Sequence, residues 1–472
     1  MCQSPDFTNS HTRELSLPGE YVVCEQEDWS FAYLTPTHTL WGPHGYHRYP
    51  AKFIPQLVRR IIDTYSTAGE VIGDPFVGSA TTGVEALRMG RRFWGSDINE
   101  VALLMSRAKC TPLCPDALHT VWMGLERQLD GIPLLSRRHL TIDENNVISA
   151  IDIAHASRDE RLVYWFPAPY RNSLELLLQL ILALHDERYR VFFLCAFSNI
   201  LKRCSIWLSG STKVQKDLKK LLADPIYEFR KQCRDMFRRN ILYWNELLTS
   251  GIDPLTLAQQ CTIQHHDARQ LTLPDASFDL LVTSPPYATC YEYKDIHQLT
   301  QLWFERYGLV AVHDAQENWI GSKSLAHRVL TDTILNPETG SPIVDHALEK
   351  LTQLAEGPTA QSVKREVRAL RYYFQDMSHA VNEFARVTKP GKYVILIIGD
   401  SYRRGITIPT SQAIREMAQV AGLELERRIV RQIPNRVLVS TRNKTTGRFS
   451  SVAQSDMQAY PEEDILIFKH PS

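Results

Sequence analysis

Short apolar runs alternate with helical patterns along this chain of 472 residues, and this alternation constrains the fold more than any other feature. Seven runs are rich in β-branched residues, and most are bounded by Gly, Pro or Asp, as strands usually are. They cover residues 71–73, 92–96, 262–266, 278–283, 393–398, 423–433 and 464–468. Helical patterns follow four of these runs, at 80–89, 100–109, 295–306 and 410–420. The alternation predicts an α/β fold, with a parallel sheet and helices on both of its faces.

Two stretches interrupt the alternation. One is mostly helical in pattern, and the other is more polar and contains the loop-like sequence NPETGSP. We therefore predict one interrupted α/β domain rather than three domains in series. The predicted parts are the domain itself at 41–110, 261–308 and 371–470, a helical insertion at 111–260, a smaller insertion at 309–370, and an N-terminal arm at 1–40.

The composition excludes several classes of protein. Lys plus Arg and Asp plus Glu number 53 each, so the formal net charge is zero. This balance argues against a histone-like basic protein and against a solvating acidic chain. It leaves nucleic-acid binding open, because binding depends on where the charges lie.

The cysteines and the hydropathy predict a cytoplasmic protein. Nine cysteines form no CxxC pair, which argues against a disulfide framework or a Cys-rich zinc site. The N-terminus lacks the pattern of a signal peptide. The most apolar stretch, 174–184, is shorter than the ~20 residues that a membrane span needs, so we predict no contact with membranes.

The first motif is a tight turn between a strand and a helix, VIGDPFVGSATTGVEAL at 71–87. Gly78 lets the backbone turn sharply and approach a ligand closely. The helix that begins near Thr81 directs unpaired N–H groups and the positive end of its dipole to the same place. Open α/β sheets bind ligands at this position. The alternative is an ordinary strand-to-helix turn.

The next predicted strand ends in Asp97, nineteen residues after Gly78. A carboxylate at this strand end is placed to accept hydrogen bonds from ribose hydroxyls. The alternative is an N-cap for a helix that begins at Ile98, and one residue can have both roles. Together, the turn and the acidic residue predict a nucleoside cofactor without specifying which one.

The second motif follows an apolar strand in FDLLVTSPPYATCYEYKDIHQL at 278–299. Pro285 and Pro286 fix the backbone and remove two N–H donors, so the carbonyl groups there are rigid and have no competing local donor. With the Ser284 hydroxyl, such a site can hold an amino group by its two hydrogens. Tyr287 supplies a flat face for a planar base. The alternative is a rigid loop with a packed tyrosine.

Both motifs resemble those of one family. DPFVGSATT (74–82) resembles the DPFxGSGTT cofactor motif of amino-group DNA methyltransferases, and TSPPY (283–287) resembles their catalytic motif. HRYPAKFIPQLVRRII (47–62) resembles the segment that closes over the methionine end of S-adenosylmethionine. RVTKPGKYVILIIGD (386–400) resembles a helix–turn–strand that follows the catalytic motif. The resemblance implies a Rossmann-like class I methyltransferase fold with a seven-stranded, mostly parallel sheet.

The resemblance also implies the site residues. The implied catalytic residues are Ser284, Pro285, Pro286 and Tyr287. The residues implied to bind S-adenosylmethionine are Lys52, Phe53, Asp74, Pro75, Phe76, Gly78, Ser79, Thr81, Asp97 and Asp267. No metal is predicted, because neither His44 with His47 nor His265 with His266 has partners at zinc spacing. His297 is predicted to pack or cap, with a place in the target pocket as the alternative.

One position departs from the family pattern. The family usually has Gly where this chain has Ala80, and Ala tolerates positive φ poorly. We therefore expect a difference in the local backbone, and a weaker affinity for the cofactor, but no loss of function.

The implied reaction moves a methyl group from S-adenosylmethionine to an exocyclic amino nitrogen of a base. Catalysis of this kind depends on positioning and preorganised electrostatics and needs no strong base. A Ser in the first position of the catalytic motif resembles the enzymes that methylate cytosine N4, whereas Asp more often accompanies adenine N6. The base lies inside a duplex, so the enzyme has to flip it out, at a cost of about a few kcal/mol.

The predicted partner is double-stranded DNA, and cognate restriction or defence proteins are implied by the resemblance alone. Residues 201–240 contain eleven Lys or Arg but only four Asp or Glu, so this segment has a local excess of positive charge. If the segment is helical, its lysines lie on one face and can contact phosphates; the alternative is a solvated helix face. The candidate residues are Lys213, Lys216, Lys219, Lys220, Arg230, Lys231, Arg234, Arg238 and Arg239.

Three other functions compete with this prediction. An RNA amino-group methyltransferase shares both motifs but normally carries an RNA-binding module. A dinucleotide-binding oxidoreductase predicts GxGxxG after the first strand, whereas this chain has GSATTG at 78–83. A non-catalytic nucleic-acid-binding relic does not explain the intact residues 284–287 and Asp97.

Overall fold

The computed structural model describes most of the chain. The described residues are 29–49, 52–135, 157–209, 211, 214–288, 293–311, 319–322, 339–433, 441–442, 457–458 and 462–472. Most of the N-terminal arm and large parts of the second insertion lie outside them, as does Lys213, so its predicted contact with DNA falls outside the described residues.

The described residues build one seven-stranded sheet in the order β3-β2-β1-β4-β5-β7-β6. Strands β1 to β5 pair in parallel, and β7 is antiparallel to both of its neighbours. This arrangement confirms the predicted α/β fold and its mostly parallel sheet. The strands are β1 (Val71–Asp74), β2 (Arg92–Asp97), β3 (Cys261–His265), β4 (Phe278–Thr283), β5 (Thr388–Ile398), β6 (Glu424–Gln432) and β7 (Glu462–Lys469).

Helices cover both faces of the sheet and fill the helical insertion. The helices are α1 (Pro36–Thr39), α2 (Pro55–Tyr65), α3 (Thr81–Arg88), α4 (Glu100–Cys110), α5 (Pro115–Leu129), α6 (Arg158–Trp165), α7 (Ala168–Leu182), α8 (Glu187–Ile200), α9 (Pro225–Thr249), α10 (Tyr293–Arg306), α11 (Pro342–Gln353), α12 (Ala360–Val387) and α13 (Thr410–Val420). The four predicted helical patterns correspond to α3, α4, α10 and α13, with ends that differ by at most two residues.

The two faces of the sheet bury alternate residues of the same strands. In β5, Ile395 and Ile397 pack into a core that includes side chains of α2 and α3. Their neighbours Leu396 and Ile398 pack on the opposite face with side chains of α12 and α13. Side chains of a strand point to alternate faces, so a strand covered on both sides is apolar throughout. This explains the continuous apolar runs in the sequence.

One predicted boundary falls inside a helix. The second insertion was predicted to end at residue 370, but α12 runs without a break from Ala360 to Val387. Apolar residues recur along it at three- and four-residue steps and all are buried: Val363, Val367, Leu370, Phe374, Met377, Val381 and Phe384. That spacing produces one continuous apolar stripe, which packs against the sheet.

The helical insertion packs against the helices that border the cleft. Its core includes Trp165 and Phe193 from the insertion, Met105 from α4, and Trp303 from α10. Since α4 follows β2 and α10 lies shortly after the Ser-Pro-Pro-Tyr motif, the insertion contacts elements on both sides of the predicted site. Within the described part of the chain, no helix is long and apolar enough to cross a membrane.

Candidate active site

The carboxyl ends of β1 and β4 are joined through a buried carboxyl group. Thr283 Oγ1, at the end of β4, donates a hydrogen bond of 2.6 Å to Asp74 Oδ1, at the end of β1. Asp74 also accepts from the backbone N–H of Phe76 at 3.2 Å. Burial raises the pKa of Asp74 to about 7. Asp74 therefore fixes the start of the first motif to the strand that leads into the second.

The glycine turn has the strained backbone that its sequence predicts. Gly78 has φ of +48°, and Ala80 has φ of 57° in the left-handed region, where it precedes α3 as the N-cap residue. An L-residue with a β-carbon enters this region at a cost of about 1–2 kcal/mol. Ala80 adopts the left-handed conformation that favours glycine, so it does not show the backbone difference that we expected. The weaker affinity for the cofactor stays a prediction.

Two side chains of α4 donate hydrogen bonds to backbone carbonyl groups of the turn. Ser106 Oγ donates to the carbonyl oxygen of Gly78 at 2.9 Å, and Lys109 Nζ donates to that of Ser79 at 3.2 Å. Lys109 is fully buried, and burial lowers its pKa to about 8. Sequence reasoning missed Lys109, which looks like an ordinary basic residue at a helix end.

Asp97 closes the turn from the neighbouring strand. Its Oδ2 accepts from the Gly78 N–H at 3.0 Å, and its Oδ1 accepts from the Asn99 N–H at 2.9 Å. Burial raises the pKa of Asp97 to about 6. The alternative role as a helix cap is wrong, because Asn99 caps α4 by accepting from the Val101 N–H.

A cleft opens over this turn, with a volume of about 880 Å³ that includes its opening to solvent. Both motifs contribute to the walls. The predicted residues that line the cleft are Lys52, Phe53, Pro75, Phe76, Gly78, Ser79, Thr81, Asp97, Asp267, Ser284 and Pro286. Asp74, Pro285 and Tyr287 are not part of the lining.

Two buried polar atoms in the lining residues lack a hydrogen-bond partner among the described residues. They are Ser79 Oγ and Asn99 Nδ2. Leaving a buried polar group unpaired costs about 1–3 kcal/mol, so a polar ligand in the cleft gains by pairing with them. The N-terminus of α3 directs further N–H groups and a partial positive charge to the same place. These features fit a nucleoside cofactor that carries a carboxylate.

Lys52 brings a partly buried ammonium group to the cleft. Its Nζ donates to the His44 carbonyl oxygen at 2.8 Å. Burial, together with the charges of Lys109 and Arg239, lowers the pKa of Lys52 well below its usual value. A bound anion stabilises a charged lysine in such surroundings.

Asp267, which follows β3, lines the cleft and forms an ion pair with Arg269. Its carboxylate accepts from Arg269 Nε at 2.9 Å and 3.1 Å, and Arg269 Nη1 donates to buried Asp376 at 3.0 Å. This pairing fixes the orientation of the Asp267 carboxylate at the cleft wall. The implied role of Asp267 in binding S-adenosylmethionine stays a prediction.

The second motif brings a hydroxyl group and a rigid turn to the cleft. Ser284 and Pro286 line it directly after β4. Tyr287 lies beside the cleft, and its Oη donates to Glu463 Oε2 at 3.0 Å. The ring contacts the backbone at Gly399, where a β-carbon would lie 3.2 Å from Tyr287 Cε2. Sequence reasoning did not anticipate either contact.

Other lining residues were not predicted by number. Tyr49 belongs to the segment that resembles the methionine-end closure, whereas Trp319 and Ile320 belong to the second insertion and carry no sequence signal. The ring of His297 packs against that of Tyr49 in a tilted arrangement, with 5.2 Å between the centroids. His297 is buried, and burial lowers its pKa to about 4. The packing interpretation of His297 agrees with this geometry.

The basic residues of the helical insertion do not form one helical face. Residues 214–224 lie outside any helix. The next helix, α9, begins only at Pro225, where Asp224 caps it by accepting from the Tyr227 N–H. Lys216 and Lys219 are exposed in this loop. Lys220 points inward, and its Nζ donates to the carbonyl oxygens of Lys202 and Trp207 at 2.6 Å each.

Several arginines of α9 pair within the protein. Arg230 pairs with Asp130, and Arg238 and Arg239 both pair with Asp235. The exposed cations of this helix include Lys231 and Arg234, one turn apart. The predicted strip is therefore divided between internal ion pairs and a few exposed charges.

The fold and the cleft together define a class. A sheet in which β7 is antiparallel to both neighbours, a glycine turn closed by an acidic strand end, and a Ser-Pro-Pro-Tyr loop in the same cleft describe an α/β methyltransferase. The motifs therefore occupy the strand ends at which such a sheet binds its ligands.

Comparison with known proteins agrees with this class. The family model described as DNA methylase, which covers N6 and N4 types, matches residues 20–107. The Type II methyltransferase M.MvaI of Kocuria varians is 27% identical over 429 residues, which cover 87% of this chain and 88% of that protein. M.MjaII of Methanocaldococcus jannaschii is 38% identical over 167 residues, 31% of this chain and 32% of that protein. These similarities support an amino-group DNA methyltransferase, of the N6 or the N4 type, with S-adenosylmethionine as its cofactor.

Two solved structures are also similar. A SAM-dependent methyltransferase of Methanosarcina mazei is 9% identical, over 90% of this chain and all of that one, with a TM-score of 0.28. A Thermus thermophilus protein complexed with S-adenosyl-L-methionine is 15% identical over 44% of this chain and 54% of that one, with a TM-score of 0.20. At these TM-scores the assignment of the fold rests on the sheet order alone.

Proposed function

We propose that the protein methylates the N4 amino group of cytosine in double-stranded DNA and acts in a restriction–modification or similar defence system. The observation that carries the proposal is that Ser284 and Pro286 of the second motif and the Gly78 turn of the first line the same cleft. A methyl donor on the turn and an amino group on the Ser-Pro-Pro loop then lie next to each other.

The cofactor is held by the first motif, by residues at the end of β2 and by Lys52. Asp97 and Asn99 offer a carboxylate and an amide to the ribose, and Ser79, Lys52 and the N-terminus of α3 offer hydrogen bonds and positive charge to the carboxylate. When bound, S-adenosylmethionine supplies a methyl group that its sulfonium already activates. The protein contributes the orientation of this group and the exclusion of water.

The target amino group is held by the second motif. Ser284 Oγ and the Pro285 carbonyl oxygen accept the two amino hydrogens, which makes the nitrogen more tetrahedral and directs its lone pair to the methyl carbon. Thr283 is anchored to Asp74, so the loop begins at a fixed point. Preorganised acceptors of this kind lower the barrier because they need no rearrangement during the reaction.

The choice of cytosine rests on Ser284 at the first position of the motif. The DNA methylase family includes both N6 and N4 types, and the relatives' names do not specify the base. A role in restriction–modification is supported by the name Type II methyltransferase that M.MvaI and M.MjaII carry. A location in the cytoplasm, where DNA and S-adenosylmethionine are both available, completes the proposal.

Contact with duplex phosphates is assigned to the exposed cations of the helical insertion. Lys216, Lys219, Lys231 and Arg234 remain exposed. Arg238 is exposed as well, although it pairs with Asp235. Arg230 and Arg239 are partly buried and pair with acidic residues of the protein. Phosphate contacts fix the register of a protein on DNA and make binding depend on salt.

The test is the identity of the modified nucleoside. The purified protein is incubated with labelled S-adenosylmethionine and, separately, with duplex DNA, single-stranded DNA and RNA, and the digested products are analysed by mass spectrometry. We expect N4-methylcytosine in duplex DNA. N6-methyladenine would contradict the assignment of the base, and label in RNA alone would contradict the assignment of DNA.

A further inference from the structure

A hydrogen bond links Tyr287, the aromatic residue of the second motif, to the antiparallel strand β7. Tyr287 Oη donates to Glu463 Oε2 at 3.0 Å, although the two residues are 176 positions apart. Glu463 lies at the start of β7, the antiparallel strand. Its side chain is only 10% exposed. The contact joins the loop after β4 to a strand two places away in the sheet order.

Glu463 is itself held by a buried arginine. Arg431 of β6 lies directly opposite Glu463 in the strand pairing, and Arg431 Nη1 donates to Glu463 Oε1. The side chain of Arg431 is 5% exposed, and its Nε donates to the Trp29 carbonyl oxygen at 2.8 Å. The carboxylate therefore has one oxygen fixed by Arg431 and offers the other to Tyr287.

The ring of Tyr287 is restrained from a second direction. A β-carbon built on Gly399, the residue after β5, would lie 3.2 Å from Tyr287 Cε2 and 3.7 Å from Cζ. The ring thus lies against bare backbone, and the hydroxyl group is fixed at its far edge. A ring with these two restraints has little freedom to rotate or tilt.

We infer that Glu463, held by Arg431, is a positioning residue that sets the plane of the Tyr287 ring for the target base. The inference rests on the proposed function, in which the flipped base stacks on this ring. Base–aromatic stacking depends on the relative orientation of the two planes. A hydrogen bond to an ionised carboxylate is among the stronger ones in proteins, so it can hold the ring in one orientation.

This role predicts which step of the reaction depends on Glu463. Neither Glu463 nor Arg431 lines the cleft, so binding of S-adenosylmethionine is expected to stay unchanged when they are altered. Turnover is expected to fall, because a base on a poorly oriented ring places its amino nitrogen less well. A variant that keeps the ring of residue 287 but lacks its hydroxyl group should therefore behave like a variant that keeps Tyr287 but lacks the Glu463 acceptor.

The test is a double-mutant cycle on methyl transfer to duplex DNA. Tyr287→Phe removes only the hydroxyl group, and Glu463→Gln removes the charge that accepts from it. We expect each single variant to lose about tenfold in kcat, because a hydrogen bond to a charged group contributes about this factor or more. We expect the double variant to lose the same tenfold rather than a hundredfold, since the second change removes nothing further.

A matched control is available on the same strand. Glu462 precedes Glu463 and hydrogen-bonds Gln432 instead of Tyr287. Glu462→Gln is therefore expected to keep full activity. The fluorescence of 2-aminopurine placed next to the target cytosine follows base extrusion, and it should change in Tyr287→Phe and Glu463→Gln but not in Glu462→Gln.

A second variant covers a failure to fold. Should Glu463→Gln not fold, Glu463→Asp keeps the charge opposite Arg431 but withdraws the carboxylate from Tyr287, and it should show the same tenfold loss. Losses that multiply in the double variant, or full activity in both Glu463 variants, would overturn the positioning role alone. A wild-type enzyme that transfers no methyl group to DNA would overturn the proposed function, and the positioning role with it.

Discussion

Asp74 gives the sharpest prediction, because its carboxyl group is buried where a charge is unfavourable. Burial raises its pKa from 3.8 to about 7. The folded state therefore binds the proton more tightly than the unfolded chain, and wild-type stability falls as the pH rises from about 3.8 to about 7. Each pKa unit corresponds to about 1.36 kcal/mol, so the whole penalty is about 4 kcal/mol. About 3 kcal/mol of it develops between pH 5 and pH 8.

Asp74→Asn removes this titration and leaves a group of the same shape. The new amide keeps one oxygen to accept from Thr283, but its NH₂ group needs an acceptor, and leaving it unpaired costs about 1–3 kcal/mol. This cost is the same at every pH, whereas the charge penalty of the wild type is not. The free energy of unfolding of the variant, relative to wild type, should therefore rise by about 3 kcal/mol from pH 5 to pH 8.

Thermal unfolding of the cofactor-free protein across this pH range measures the effect. With about 2.1 cal/mol/K of unfolding entropy per residue, a chain of 472 residues gives a relative increase in Tm of about 3 °C. Asp279→Asn is the matched control. Burial alone would raise the pKa of Asp279, but the hydrogen bond from Lys389 Nζ outweighs it, so the pKa of Asp279 is lowered. Its stabilising charge is thus present throughout this range, and the loss should be constant with pH.

The two pH profiles decide the matter. A rising difference for Asp74→Asn beside a flat one for Asp279→Asn supports a buried, proton-binding carboxyl group under the glycine turn. A flat profile for Asp74→Asn would refute this explanation, because it would mean that Asp74 is already ionised at pH 5.

Three further predictions concern the same region and the DNA surface. Lys109→Met should stabilise the protein most below pH 8, where burial penalises the charged lysine of the wild type, and the gain should shrink as the pH rises towards 10.5, as followed by Tm. Ala80→Gly should change the free energy of unfolding in urea by less than about 1 kcal/mol, because relief of about 1–2 kcal/mol of left-handed strain is offset by a lost buried methyl group and a more flexible unfolded chain. Lys231→Glu with Arg234→Glu should weaken DNA binding and lower its salt dependence by about one unit of slope per lost phosphate contact, whereas an unchanged slope in a binding titration would remove these two residues from the DNA surface.

Much of the sheet could be predicted from the sequence because its signals are local. Phe278–Thr283 was predicted with the same bounds that the structure shows, since six consecutive buried residues, four of them apolar, stand out in the sequence. The approach of Asp97 to Gly78 follows from parallel pairing of β1 and β2, which brings their carboxyl ends to one edge. In both cases the sequence signal and the structure that it predicts lie within a few residues of each other or within one pair of neighbouring strands.

The contacts that depend on distant parts of the chain could not be predicted. Glu463 meets Tyr287 only because β7 inserts between β5 and β6, and no short-range pattern encodes that order. Trp319 reaches the cleft from an insertion without periodicity. The lysines at 216–220 were expected on a helix because they recur at three- and four-residue steps, but α9 begins only after Asp224.

The central claim is that Ser284 orients the target amino group in the cleft that also binds the cofactor. It is tested most directly by the single-turnover rate of N4-methylcytosine formation in Ser284→Ala, with the Kd for S-adenosylmethionine measured on the same protein. Ser277→Ala, at the other end of the same strand, is the control. We expect the rate to fall by about a hundredfold or more, as when one preorganised hydrogen-bonding group is removed, with an unchanged Kd. An undiminished rate in Ser284→Ala would contradict the account.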